Sequence, residues 1–130
     1  MYISLAGYHW KHDGDFRIDR KDGYNGMQLL LIQTRAKVSV AGVSYDILPN
    51  TAVLIDNSVP HSLCAVDDEY MDDWVRFQLS REERQEMEEL KIPFNIPIYL
   101  KEDDTLELLV KSACQMFDNE NLDKKRIQHN

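Results

Sequence analysis

Between residues 16 and 79 a turn signal recurs about every 8–12 residues, which leaves room only for short strands joined by tight corners. The clearest case is "YDILPNTAVLIDNSVPHS" over residues 45–62. Val53, Leu54 and Ile55 form a short apolar run bounded by Pro49-Asn50 on one side and Asp56-Asn57-Ser58 on the other. That is the pattern of a core strand between two turns. Val59-Pro60 makes a further corner and sets His61 at the start of the next strand. The stretch from Gly42 to Phe77 therefore organises the chain, and the corner carrying His61 is predicted to open into a ligand pocket.

The neighbouring segments read in the same way. Phe16 and Ile18 alternate with Arg17 and Asp19, giving a short strand with one charged face that ends at Arg20. A turn over residues 21–26 leads into "MQLLLIQTRAKVSV", residues 27–40, read as one strand that starts buried on both faces at Leu29–Ile32 and ends with one face wet at Val38 and Val40. Ala41-Gly42 marks a hairpin, and Val43, Tyr45 and Ile47 resume the period of two. Asn50 sits at a turn position and tolerates positive φ. Beyond a charged tip at Asp67–Glu69, alternation places Trp74, Arg76 and Gln78 on one face and Val75, Phe77 and Leu79 on the other. The second face is the more apolar and is expected beneath the helices that follow. Trp74 and Arg76 then point into the curled sheet, where an indole beside a guanidinium suits a polar, ring-shaped ligand. So many short strands have to curl and close on themselves.

The flanks carry different signals. Residues 1–15 are aromatic-rich but aperiodic and read as an arm, which could cover a pocket, a neighbouring subunit or its own domain. His9 and His12 would share one helix face, but Gly14 breaks any helix and no acidic or thiol partner is near, so solvated histidines are expected and no metal site. Ser80 with Glu83 forms a capping box for a helix over residues 81–91 with Met87 and Leu90 inward. Pro93 and Pro97 make residues 92–100 an extended strap. Asp104 with Glu107 caps a longer helix whose apolar stripe, Leu106, Leu109, Ala113 and Met116, is flanked by Val110 and Phe117. That stripe serves either the core alone or a dimer seam. From Asn119 the chain is polar and turns basic, like a helix or linker cut off in the middle. The expected organisation is thus an arm (1–15), a β-barrel (16–79) and a helical and strap segment (80–130).

The totals bound the function. With 130 residues the chain is expected to be one domain that folds alone. Its 15 Lys+Arg against 23 Asp+Glu leave a net charge of −8, which repels the phosphate backbone of a nucleic acid. Cys64 and Cys114 lie far apart, in no metal or redox spacing, which suits a reducing compartment. No apolar run approaches the ~18 residues of a membrane span, and the N-terminus lacks the pattern of a signal peptide. A soluble, cytoplasmic protein is expected.

In order and separation, "FRIDR" (16–20), "MQLLLIQTRAKVSV", "YDILPNTAVLI", "VPHS" (59–62), "YMDDWVRFQL" (70–79) and "LKIPFNIPIYL" resemble the N-terminal sensing half of AraC-type transcriptional regulators, over roughly residues 16–118. The resemblance implies a mainly β fold: a cupin-like double-stranded β-helix, or jelly-roll, barrel followed by two α-helices used in dimerisation. In the family a linker then leads to paired helix-turn-helix motifs that bind DNA. It also implies site residues. Arg20 matches an arginine that holds a sugar oxygen in the arabinose-sensing member, His61 a histidine at the barrel mouth, and Trp74 a tryptophan that stacks on the sugar. Asp72 falls where the family site has another polar contact, and Arg76 joins the group from its place beside Trp74. Leu63 stands where that member has tyrosine, which argues against arabinose itself. The family's glycines near Ala36 and at Asn50 are replaced by small or φ-tolerant residues. The basic, helix-rich half expected after Asn130 is absent, so the chain reads as a fragment whose DNA binding lies elsewhere. Local alternatives stay open: Arg20 pairing with Asp19 or Asp22, His61 satisfying a backbone carbonyl, Trp74 serving as core.

Many cupins are metal-dependent enzymes, and such sites need about three imidazoles and a carboxylate converging on one ion. Here the corresponding strand end reads Gln33-Thr34-Arg35, and no histidine occurs between His12 and His61. Cys64 lies three residues from His61, an offset that points the two to opposite faces of a strand. The expectation is therefore a non-catalytic, cofactor-free sensor of a small, sugar-like polar effector that forms a homodimer through its C-terminal helix. A stand-alone carbohydrate-binding cupin, a barrel that only dimerises, and a metal-dependent cupin enzyme are the alternatives.

Overall fold

In the computed structural model, residues 1–21, 26–112 and 114–115 are described. Their order is β1 (Tyr2–Asp13), β2 (Arg17–Arg20), β3 (Met27–Ile32), β4 (Ala36–Val40), β5 (Val43–Ile47), β6 (Thr51–Asp56), β7 (His61–Ala65), β8 (Glu69–Gln78), α1 (Arg81–Glu89) and β9 (Ile98–Tyr99). A further helix, α2, occupies residues 105–112 and 114–115. The strands form two antiparallel sheets, one in the order β1-β8-β3-β6-β9 and the other β2-β7-β4-β5. This mainly β, jelly-roll-like architecture agrees with the fold class expected from the sequence.

Alternation sorts the side chains into two cores. Leu30, Ile32, Val53 and Ile55 from one sheet meet Val38, Val40, Ile47 and Leu63 from the other, with Tyr70 and Trp74. On the outer face of the first sheet, Met27, Val75 and Phe77 pack against Val110 and Cys114 of α2. The two faces of β8 thus divide as the alternation predicted, Trp74 inward and Val75 and Phe77 under a helix. The turns also follow their chemistry. Ala41 (φ 51°) and Gly42 (φ 82°) both take positive φ, as a two-residue hairpin matched to strand twist requires, and Asn50 sits at φ 65°.

Residues 27–40 depart from the single strand expected. They make two strands in different sheets, because the polar Gln33-Thr34-Arg35 segment crosses between them. The crossing is held by the Gln33 amide donating to the Met71 carbonyl (2.9 Å) and the Met71 amide donating to Thr34 Oγ1 (3.2 Å). The N-terminal residues differ as well. Tyr2–Asp13 is a long strand paired along β8, with register shifts between Ile3 and Leu5 and between Gly7 and Trp10. Those shifts break the period of two, which is why the stretch looked aperiodic.

The capping box at Ser80 and Glu83 is present, but α1 is shorter than expected and buries none of its residues. Met87 is half-buried and Leu90 is exposed, contrary to the inward placement expected of both. The helix stops because Lys91 adopts φ 58° while the Lys91 and Ile92 amides bond back to Glu88 and Met87, a Schellman closure. Its anchor is polar: Arg84 pairs with Asp56 at 2.7 Å and lies over the Phe94 ring. The strap is observed, ending in β9 on the edge of β6.

At the start of α2 the capping side chain is Asp103, whose Oδ1 accepts the Thr105 amide at 2.9 Å. Asp104 supplies only its backbone carbonyl, to Leu108, and Glu107 turns away from it toward β1. The stripe expected on this helix also rotates. Val110 and Cys114 face the barrel, Leu106 is half-buried, and Leu109 is 60 % exposed. Ala113, Met116 and Phe117 of the expected seam, and the polar tail from Asn119, lie outside the described residues. Among the described residues no helix is long and apolar enough to cross a membrane.

Candidate functional site

Side chains two apart on a strand share a face, and cross-strand partners on that face are neighbours. In this fold the rule assembles a site. Arg20 on β2 pairs with His61 on β7, and Ile18 with Leu63. Gln28 and Leu30 on β3 pair with Arg76 and Trp74 on β8, while Trp10 on β1 pairs with Asp72. These residues, with His12 and Phe16, surround a cavity of about 170 Å³. That exceeds the ~150 Å³ void known to admit a benzene ring.

All five side chains nominated from the sequence, Arg20, His61, Asp72, Trp74 and Arg76, line this one cavity. Trp74 is both wall and core, 9 % exposed and part of the cluster between the sheets. The Arg76 guanidinium stands 5.4 Å from the centre of the Trp74 ring, and the Trp10 ring meets Trp74 edge-on at 5.6 Å. A continuous aromatic wall follows, with His12 stacked on Phe16 at 4.0 Å and Phe16 on Tyr70 at 4.6 Å.

Gly7 makes room for the indole pair. A Cβ there would lie 2.5 Å from Trp74 Nε1 and 2.7 Å from Trp10 Cδ1, closer than side-chain carbons approach other atoms. The residue is therefore small because two rings lie against its backbone.

The polar groups have defined states. His61 Nδ1 lies 3.1 Å from the Val59 carbonyl, which can only accept, so the proton is on Nδ1 and Nε2 is the ring's acceptor. Burial holds this imidazole below its ordinary pKa, and the nearby charges of Arg20 and Arg76 push the same way against the Val59 bond. His61 is neutral at pH 7. It meets the backbone at the corner with one nitrogen and keeps the other. The Asp72 carboxyl is pushed up to about 6 by burial, against the lowering effect of the Tyr70 hydroxyl that donates to it at 2.6 Å, with the charge of Asp73 adding to the rise. Half the wall is aromatic or aliphatic, and the polar half offers two guanidiniums, two imidazoles, an amide and a carboxylate. Such a cavity can cover the face of a small ring and fix its polar substituents.

Sequence reasoning missed Trp10, His12, Phe16, Ile18, Gln28 and Leu30 as lining residues. The signal for Trp10 and His12 was their spacing of two. It was obscured by the register shift just before them. The two histidines of the N-terminal segment also part company: His12 faces the cavity, whereas His9 lies on the outer face beside Asp73 and Glu107. Its acidic partners come from β8 and α2, distant in sequence.

No protein-family model matches the chain, and no curated protein matches it in sequence. Among solved structures, ToxT from Vibrio cholerae superposes with a TM-score of 0.58 at 15 % identity, over 88 % of this chain and 48 % of the ToxT chain. ToxT from Vibrio cholerae O395 bound to (E)-4-(8-methylnaphthalen-1-yl)but-3-enoic acid gives a TM-score of 0.61 at 16 % identity, over 90 % of this chain and 49 % of the other. The present chain spans about half the length of those it matches. At such identity, what the chain has in common with ToxT is the jelly-roll-like fold.

Proposed function

We propose that this chain is the effector-binding and dimerisation domain of an AraC-type transcription regulator, and that it binds a small polar ligand, a sugar or a similar molecule, in the barrel cavity. The observation that carries the reading is the convergence of Arg20, His61, Asp72, Trp74 and Arg76, from three strands, on one cavity. The fold shared with ToxT, an AraC-family regulator, and the small molecule held by one ToxT structure support a small-molecule occupant here as well. In this reading Trp74 and Trp10 cover the ring face of the ligand, Arg20 and Arg76 donate to its oxygens, and His61 Nε2 and Asp72 accept from its hydroxyls. The domain binds without catalysis in the cytoplasm. DNA contacts belong to a helix-turn-helix domain outside these residues, in keeping with the net charge of −8. Leu109, exposed on α2, is available to a second copy, and ligand binding shifts the balance between two arrangements of the dimer.

A second reading of the ligand rests on the wall itself. Six apolar residues with two guanidiniums favour a single-ring aromatic carboxylate over a fully hydroxylated sugar. A thermal-shift and calorimetric screen of monosaccharides and benzoate-type acids separates the two. The true ligand is expected to raise the melting temperature of the parent, with affinity falling at least tenfold in Trp74→Ala and in Arg20→Ala, about the worth of one charged hydrogen bond. His61→Ala serves as a third variant. If active compounds stabilise all three variants as much as the parent, the cavity is not the site.

A further inference from the structure

On the outer face of the barrel, away from the cavity, His9, Asp73 and Glu107 bring one imidazole and two carboxylates together from β1, β8 and α2. One ligating atom from each lies within 4.8 Å of the others. His9 Nε2 is 2.7 Å from Glu107 Oε1 and 3.9 Å from Asp73 Oδ1. Zinc–nitrogen and zinc–oxygen bonds of about 2.0–2.2 Å place tetrahedral ligand atoms about 3.4 Å apart. The two His9 separations bracket that value and the third pair lies within 4.8 Å, so modest shifts of the partly exposed His9 and Glu107 side chains bring all three onto one ion.

The surroundings fit a bound cation. Asp73 is fully buried and already oriented, its Oδ1 accepting the His9 amide at 2.6 Å and its Oδ2 accepting Gln33 Nε2 at 2.9 Å. Carboxylates that ligate metals are themselves held in place by hydrogen bonds of this kind. The register shift between Gly7 and Trp10, with His9 at φ 50°, sets Tyr8 and His9 side by side on the outer face, their rings stacked at 3.9 Å. Bulges re-aim side chains in this way next to functional sites. His9 and Glu107 are 37 % and 26 % exposed, which leaves an entry path and room for water to complete the coordination. Tyr8, 3.4 Å from Glu107, and Lys111, over the Tyr8 ring, lie beside the cluster.

We propose that His9, Asp73 and Glu107 form a binding site for a divalent transition-metal ion of the Zn²⁺ type, held by one nitrogen and two carboxylates. The ion takes the place of the bridging proton between His9 Nε2 and Glu107, the imidazole carrying its N–H on Nδ1 when Nε2 ligates, and two carboxylates balance its charge. It ties the N-terminal strand and β8 to α2. This site is independent of the effector cavity, and its failure leaves the reading of that cavity intact.

The test is calorimetric titration of the EDTA-stripped 130-residue chain with Zn²⁺ at pH 7.5, with Co²⁺ absorption as a spectroscopic report of nitrogen and oxygen ligation. One ion per chain is expected, with a rise in melting temperature of roughly 5–10 °C at a free ion concentration about 100 times the Kd. His9→Gln and Glu107→Gln, both on the partly exposed side of the site, each lower the affinity at least tenfold and abolish the Co²⁺ signature. Circular dichroism verifies that both fold. Absence of stoichiometric binding in the parent overturns the proposal, and so does binding that both variants retain, since the ion would then sit elsewhere.

Discussion

Asp72→Asn tests the electrostatics of the cavity with a sign that depends on pH. Asp72 is 5 % exposed, and burial raises its carboxyl from an ordinary 3.8 to about 6. A group whose folded pKa is raised contributes stability that is complete below the unfolded value and is lost as pH rises through the folded one. The window therefore runs from about pH 3.8 to about pH 6. Across it the parent loses about 3 kcal/mol from this group, at 1.36 kcal/mol per pKa unit. Asparagine has the same shape, can accept the Tyr70 hydroxyl that now bonds Asp72 at 2.6 Å, and does not ionise. The variant's advantage over the parent should grow by about 3 kcal/mol between pH 4 and pH 7.5, or about 10 °C in melting temperature for a domain of this size. Urea unfolding of both proteins at pH 4, 5, 6 and 7.5, with EDTA present to keep the Asp73 site empty, measures the difference. Comparing the two proteins at each pH cancels the titrations that are not coupled to Asp72. A difference that is the same at both ends of the range refutes the reasoning, because Asp72 would then carry no raised pKa in the folded protein. In the proposed function the same substitution removes an acceptor from the cavity, so a more stable protein with weaker effector binding is expected.

Two further substitutions probe how the fold holds the site. Ser80→Ala removes the acceptor for the Glu83 amide and should cost about 1 kcal/mol; α1 buries none of its own residues, so packing cannot compensate. Chemical denaturation and faster amide exchange at Glu83 report it. Gly7→Ala drives a methyl into both indoles and should destabilise by about 1–3 kcal/mol while altering tryptophan emission, since Trp10 and Trp74 must move apart. Unchanged stability and emission would show that the rings do not lie against this backbone.

What could be read along the chain was what neighbouring residues settle among themselves. Turn chemistry at Ala41-Gly42 and Asn50, the alternation of Trp74 and Arg76 against Val75 and Phe77, the buried run at Val53–Ile55 and the box at Ser80 and Glu83 each depend on residues a few positions apart. Such local preferences survive folding when the tertiary environment agrees with them. They set His61 at a strand corner and Trp74 and Arg76 on one inward face, whereas Arg20 and Asp72 were nominated by the resemblance to AraC-type sensing halves. Long-range pairing decided the remainder. Residues 27–40 divide between two sheets because Gln33 and Thr34 are tied to Met71, far along the chain. Residues 2–13 become a strand through β8, and the register shift in that pairing turns His9 outward and His12 inward. α2 presents Val110 and Cys114 to the barrel because its axis is set by the sheet it covers, and no pattern within the helix specifies that rotation. A period of two or of 3.6 tells which side chains share a face, whereas which surface that face meets is chosen by contacts between segments that the linear order does not bring together.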